Sequence, residues 1–446
     1  MEKYDVVIIG GGPAGVTCAI SAHNTYPDKK IAVIRKEPIA LIPCGIPYTL
    51  TSLNSVDENI LPDALVEKAA ADLIIDEAIN KDGKTLELKS GRKIIYDKLV
   101  LAVGPTPVMP PIEGVDKKGV FLVQKDHEYM TKMRKFAEGI QNIVVIGGGY
   151  IGVEMADEAL RAGKNVTIIE LLDHLLGTSM DTEFGDKTRE ILEANGAKVL
   201  LGNKVDSIVG NHEVNGVKVD GGENIPADMV IISTGSKPNV ELAEKFGLDY
   251  DPKHGILVNE YLRTSEKDVF AVGDCAAKID FFTGEFTDVR LASTAMAEGR
   301  LVGSDLFQIK IIRKYIGVLG SFSTKIGGTA FGVSGITEAK ARSMNLDYTV
   351  GEATTVDRHP GKLAGASKQH LKLIFSRYSH TLLGAQMHGG DSVGELVNMF
   401  SVMILNKMTD MDIDTLQVGT HPLLTASPVV YPVITATADA IKKWFR

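Results

Sequence analysis

The stretch YDVVIIGGGPAG, Tyr4 to Gly15, decides the fold. An apolar strand runs straight into Gly10-x-Gly12-x-x-Gly15, and the residues that follow, VTCAISAHN, are compatible with a helix. The first glycine permits a tight turn. The second lets the backbone approach a pyrophosphate, and the third lets helix and strand pack closely with the helix N-terminus facing the anion. Residues 142–154, NIVVIGGGYIGVE, repeat the plan as Gly147-x-Gly149-x-x-Gly152. One such pattern alone is weak. Two, each after a strand and before a helix, imply two dinucleotide sites in one chain.

The copies differ at the next checkpoint, an acidic residue near the end of the following strand that takes the adenosine ribose hydroxyls. In the second copy NVTIIELL places Glu170 there, with no arginine or lysine close behind it. A carboxylate repels a 2′-phosphate, so NADH is expected over NADPH. In the first copy KIAVIRKEP puts Arg35 at that place and Glu37 two residues later. Two dinucleotides suggest an electron path between them, and FAD with NADH is the natural pair. LVLAVGPTP (Leu99 to Pro107) and VIISTGSKP (Val230 to Pro238) read as returning strands that end in glycine turns. DVFAVGDCA is a strand ending in Gly273-Asp274. Asp274 is placed either to accept from a polyol such as the flavin's ribityl chain or to cap the next helix.

The bulk properties bound the rest. A chain of 446 residues predicts about three domains. Apolar residues make up 44% and charged residues 24%, the balance of a globular protein. The net charge of −9 comes without a concentrated basic run, which argues against nucleic acid. No uninterrupted apolar run of about 18 residues predicts a membrane span. The N-terminal apolar run passes directly into a glycine turn rather than a cleavage site, so a cytoplasmic location is expected. The cysteines Cys18, Cys44 and Cys275 are too scattered for a disulfide framework or a zinc cluster.

The double fingerprint, the returning strands and VFAVGDCA resemble the FAD-dependent pyridine nucleotide–disulfide oxidoreductases over nearly the whole chain. PCGIPY, around Cys44, is similar to the single-cysteine branch. That branch includes coenzyme A disulfide reductases, NADH-dependent persulfide reductases, NADH oxidases and NADH peroxidases. The resemblance implies an α/β fold with two Rossmann-like nucleotide-binding domains and a C-terminal α+β dimerisation domain. Its boundaries would be 1–110 and 245–320 for FAD, 111–244 for NADH, and 321–446 for dimerisation. A homodimer is implied.

Carried over residue by residue, the resemblance places Gly10, Gly12, Pro13, Ala14, Gly15, Arg35, Glu37, Pro43, Ala102, Gly104, Gly273, Asp274 and Ala292 at FAD. It places Gly147, Gly149, Tyr150, Ile151, Gly152, Glu170 and Gly235 at NADH, with Tyr150 gating the nicotinamide pocket. The helix around RLASTAMAEGR would aim its N-terminus at the flavin's pyrimidine end and favour the negative charge of the reduced ring. Cys44 would sit beside the flavin.

Dithiol relatives carry CxxxxC, but here Thr49 takes the second position. Cys44 must bond to something outside the chain or to oxygen, as a mixed disulfide, a persulfide or a sulfenic acid. Departures from the family choose among these. Peroxidases and water-forming oxidases usually place a histidine in the first glycine loop, where this chain has Pro13. Coenzyme A disulfide reductases usually carry two arginines where this chain has His23 and Asn24, and a C-terminal tyrosine where it has Ala426. THPLLTAS resembles the His-Pro segment of dithiol relatives, in which a partner-subunit histidine is the acid–base. His421 is therefore a candidate acid and Tyr431 a weaker one. The expected substrate is a persulfide, polysulfide or small-thiol disulfide, with coenzyme A among the possible carriers. A coenzyme A disulfide reductase, an NADH oxidase and an electron-transfer reductase for a protein partner are the alternatives. In the last stretch, HLKLIFSRYSHTLLGAQMHGG predicts two strands and SVGELVNMFSVMILNKMT an apolar-faced helix. His359 and His388 are expected in surface loops.

Overall fold

The computed structural model describes residues 1–314 and 316–444. Residue 315 and residues 445 and 446, inside the expected 245–320 and 321–446 segments, lie outside the described residues. The chain divides into two compact units, Met1–Pro111 with Phe121–Gly139 and Thr234–Val318, and Ile112–Val120 with Ile140–Ser233 and Leu319–Arg446.

The first unit is built on a sheet whose parallel part runs Ala71–Ile75, Ile31–Arg35, Glu2–Ile9, Lys93–Leu101, Val269–Ala271. Lys93–Leu101 also pairs antiparallel, through its first residues, with Thr85–Leu88. The central strands are runs of Val, Ile and Leu because both their faces are covered, as a parallel sheet requires. Ile9 lies level with Ile34 on one side and Leu101 on the other, and Leu101 with Ala271. Their shared carboxyl ends carry the Gly10 turn, the Ala102–Gly104 turn and the Gly273 turn. The helix Pro13–Thr25 starts with proline, whose missing N–H costs nothing in a first turn. It packs along the helix Ala292–Asp305.

The second unit holds a parallel sheet with the order Lys198–Leu200, Asn165–Ile169, Asn142–Ile146, Met229–Ile232. Ile146 and Ile169 deliver the chain to the Gly147 turn and to Glu170 in the same way. An antiparallel sheet follows, in the order Ser321–Ile326, Thr329–Gly335, Leu382–Gly389, Lys368–Ser376, Tyr348–Val356. The helix Val393–Leu405 buries Val393, Val397, Phe400, Met403 and Ile404. Two Rossmann-like sheets and an α+β segment are thus present.

His388 is not in a loop. It lies within the strand Leu382–Gly389, opposite His370. Burial, with the charge of His370, depresses its imidazole to about 4. Two glycines directly after it suggested a turn, but strand pairing continues to Gly389. His359 is a loop residue, and its Nδ1 lies 3.0 Å from Thr425 O. Among the described residues no helix is long and apolar enough to cross a membrane.

Candidate functional site

In the first glycine loop Gly10 has φ +117°. A Cβ on Gly15 would overlap the Gly10 carbonyl, so strand and helix meet there at backbone distance. Above Gly12 nothing lies within 4 Å. The helix that starts at Pro13 has no side-chain cap and no acidic residue in its first turn. Its N–H groups face open space, the arrangement that binds a phosphate. Arg35 is buried with its stem against Gly11. Its nitrogens bond Asp63 at 2.7 Å, Glu37 O at 2.7 Å and Pro38 O at 2.8 Å. Glu37 is half-buried just beyond. Ala102 and Gly104, at φ +69°, form the adjoining turn.

Asp274 sits in the short 3-10 turn Gly273–Cys275. Its Oδ1 is buried with no hydrogen-bond partner among the described residues. Its Oδ2 is 4.0 Å from Lys125 Nζ. A buried carboxylate oxygen without a donor is costly, and a ligand hydroxyl would satisfy it. Ala292 opens the neighbouring helix, which also lacks a side-chain cap. The open phosphate cradle at Gly12 and the orphaned Asp274 oxygen fit FAD.

Cys44 is exposed in the 3-10 turn Pro43–Gly45, whereas Cys18 and Cys275 are fully buried. Burial pushes the Cys18 thiol up to about 12 and the Cys275 thiol to about 11, so both are inert packing groups. A second turn, Pro47–Leu50, follows at once. Asn59 fills the space beside Gly45 and donates to Ile42 O at 3.0 Å. Arg134, from the helix His127–Glu138, donates from Nη1 to Thr49 O and Leu53 O, both at 2.7 Å. The thiol's segment is therefore held by two prolines, an asparagine and a guanidinium.

In the second unit Gly147 has φ +104°, a Cβ on Gly152 would overlap Gly147 O, and the space above Gly149 is open. The helix Tyr150–Arg161 again begins without a side-chain cap or an early acid. Glu170 follows the strand Asn165–Ile169 and is buried. Its Oε2 accepts from Gly148 N–H at 2.5 Å and its Oε1 from Leu172 N–H at 2.8 Å. Ile151 is exposed. Tyr150 stacks edge-on against Phe322 at 4.2 Å, and burial holds its phenol well above the ordinary range. One turn along, burial pushes Glu154 up to about 7, while the Thr324 hydroxyl opposes the shift. This second cradle fits a nicotinamide dinucleotide. Gly235 belongs to the first unit, at φ +97° just before the strand Ser236–Pro238.

His421 is exposed, and its Nδ1 accepts from Leu423 N–H at 3.2 Å. The neutral ring's proton is thereby assigned to Nε2. Tyr431 is buried ahead of the helix Pro432–Trp444, and burial raises its phenol above the ordinary value. Sequence reasoning missed Lys125, Arg134 and Glu154. Only Glu154 had a signal, its place four residues after Tyr150 on one helical face.

Two family models match the chain. "Pyridine nucleotide-disulphide oxidoreductase" covers residues 4–299, and the dimerisation domain of the same family covers 322–430. An NADH oxidase of Methanocaldococcus jannaschii is 32% identical, over 98% of each chain. An NAD(P)H coenzyme A polysulfide/persulfide reductase of Pyrococcus horikoshii is 32% identical, over 92% of this chain and 93% of its own. The solved structure of an NAD-dependent persulfide reductase from A. fulgidus superposes with a TM-score of 0.91 at 30% identity, covering 98% of this chain and 83% of that one. The chain is an oxidoreductase of the pyridine nucleotide–disulfide oxidoreductase family, whose cofactors are FAD and NAD(P)H.

Proposed function

We propose that this protein is an NADH-dependent FAD flavoprotein that reduces persulfides, polysulfides or small-thiol disulfides through Cys44. The observation that carries the reading is the contrast among its cysteines. Cys44 alone is exposed, on a turn fixed by Pro43 and Asn59, while Cys18 and Cys275 are buried. The persulfide-reductase relatives support it. Residues 1–110 and 245–320 serve FAD, 111–244 serve NADH, and 321–446 hold a homodimer together.

FAD, when bound, supplies the two-electron relay between NADH and sulfur. The loop at Gly10–Gly15 and the uncapped helix behind it hold its pyrophosphate, and Asp274 accepts from its ribityl chain. The loop at Gly147–Gly152 holds the NADH pyrophosphate, and the Glu170 carboxylate takes the ribose hydroxyls and repels a 2′-phosphate. The Cys44 thiolate attacks the terminal sulfane sulfur of a persulfide. The donor's S–S bond breaks and the carrier leaves as a thiolate, which His421 in its imidazolium form would protonate. Cys44 then carries the sulfur as a persulfide. Two electrons from NADH cleave that bond, restoring the Cys44 thiolate and releasing hydrosulfide. Tyr431 lines the same segment as His421 in this reading.

The test is NADH consumption without air, with a small-molecule persulfide and with coenzyme A disulfide in parallel. Faster turnover with the persulfide is expected. Cys44→Ser should abolish turnover of either sulfur substrate and leave reduction of the flavin by NADH intact; sulfur turnover that survives the substitution sinks the proposal. The relatives named NADH oxidases favour a second reading, oxygen reduction. It takes precedence if neither sulfur compound is reduced and NADH is consumed only in air.

A further inference from the structure

A buried ion pair stands directly behind the Gly273–Asp274 turn. Lys278 Nζ and Glu298 Oε2 are 2.9 Å apart, and both side chains are almost wholly buried. Each also grips one side of Gly273. Lys278 Nζ donates to Gly273 O at 2.6 Å, and Gly273 N–H donates to Glu298 Oε2 at 2.8 Å. A Cβ on Gly273, at φ +72°, would lie 3.1 Å from Ala14 Cβ and 3.5 Å from Ala295 Cβ. The turn is therefore wedged between the helices Pro13–Thr25 and Ala292–Asp305 and tied at both its N–H and its carbonyl.

Stability alone does not account for this pair. A buried ion pair is often no better than an apolar pair of the same volume, because each charge must first leave water. Burial indeed pushes the Glu298 carboxyl upward against the pull of the Lys278 ammonium and Gly273 N–H. What the pair provides is geometry. It fixes one residue, and the next is Asp274, whose Oδ1 is the buried oxygen without a partner. The nearest competing cation, Lys125 Nζ, is 4.0 Å from Asp274 Oδ2. A turn free to rotate would let the carboxylate close on Lys125.

We propose that Lys278 and Glu298 are positioning residues for the flavin, acting through Asp274 by holding its carboxylate where the ribityl hydroxyls meet it. Both bond Gly273, the residue before Asp274. The inference rests on the assignment of Asp274 to FAD made above.

The test is a double-mutant cycle read by equilibrium release of FAD from the holoprotein, followed as free-flavin fluorescence on dilution. Glu298→Gln is expected to weaken FAD binding about tenfold, and Asp274→Asn at least as much. The double variant is expected to bind FAD within about twofold of Asp274→Asn alone, because a residue that acts through Asp274 has nothing left to act on. A purely structural role would give additive losses, and additivity overturns the inference. Weakening by Asp274→Asn but not by Glu298→Gln overturns the inference and leaves the Asp274 assignment standing. Unchanged binding in Asp274→Asn overturns both. If Glu298→Gln does not fold, the neutral pair Lys278→Met with Glu298→Gln takes its place in the same cycle and is judged by the same outcomes.

Discussion

The Thr324 hydroxyl donates a hydrogen bond to the Glu154 carboxylate at 2.7 Å. It joins the first helix of the second glycine loop to the first strand of the antiparallel sheet, beside the contact of Tyr150 with Phe322. The Thr324 hydroxyl opposes the effect of burial on Glu154. Even so, burial, reinforced by the neighbouring Glu158, brings the group up to about 7 from 4.5.

Between 4.5 and 7 the unfolded chain has lost a proton that folded Glu154 still holds. The stabilisation from this group is complete below the lower value and is lost as pH rises through the upper one. Glu154→Gln removes the titration. Relative to the wild type, the variant should gain about 2 to 3 kcal/mol of stability between pH 5 and pH 8. Urea unfolding of both proteins at the two pH values measures it, and parallel pH profiles would mean that Glu154 titrates normally.

Arg134 offers a cleaner separation of the two half-reactions. Its Nη1 bridges Thr49 O and Leu53 O, in the turn that follows Cys44. Arg134→Met leaves both carbonyls without that donor and loosens the thiol's support. A loss of about tenfold in kcat/KM for the sulfur substrate is expected, equivalent to about 1.4 kcal/mol, with the rate of flavin reduction by NADH unchanged. Rapid-mixing measurement of each half-reaction decides it. Equal losses in both would point to a general structural role.

Local rules reach some of these features and not others. The Gly10 and Gly147 loops were legible because each step is local: a strand buried on both faces must be apolar, and a turn at backbone distance from a helix must be glycine. The helix Val393–Leu405 was legible from its 3.6-residue period. The partner of Arg35 was not legible, because Asp63 is far along the chain and no spacing announces the pair. The same holds for Arg134 with Thr49 and for Lys278 with Glu298. His388 shows the opposite error. The following Gly-Gly suggests a turn, but pairing with Thr329–Gly335 carries the strand past His388 to Gly389.

Lys372 is a further long-range pairing with a measurable consequence. Its buried ammonium lies 3.1 Å from Asp181, 2.5 Å from Glu183 and 2.6 Å from Glu338. Against the cost of burial, these carboxylates hold the ammonium well above its ordinary range. Asp181 in turn accepts from the N–H groups of Glu338 at 3.0 Å and Ala339 at 2.9 Å, at the start of the helix Glu338–Ser343. Lys372→Met removes the cation shared by Asp181, Glu183 and Glu338 and should cost about 3 to 5 kcal/mol. A denaturant midpoint close to that of the wild type would show that solvent replaces the ammonium.

In the proposed reading, Glu170 would govern the choice of nucleotide by two routes that substitution can separate. Its carboxylate follows the strand Asn165–Ile169, where the proposal has it meet a ribose hydroxyl, and it braces the glycine loop through Gly148 N–H and the next turn through Leu172 N–H. Glu170→Ala removes the repulsion of a 2′-phosphate but leaves Gly148 without its acceptor, so KM should rise for both nucleotides, about tenfold or more for NADH. Preference should not reverse, because the next residue is Leu171, exposed and without charge. Adding Leu171→Arg to Glu170→Ala supplies a guanidinium at that open position and should bring kcat/KM for NADPH above that for NADH. Steady-state kinetics with both nucleotides test the series. A wild-type protein that already uses NADPH as well as NADH would mean that Glu170 is held by Gly148 and Leu172 for the loop alone and does not meet the ribose.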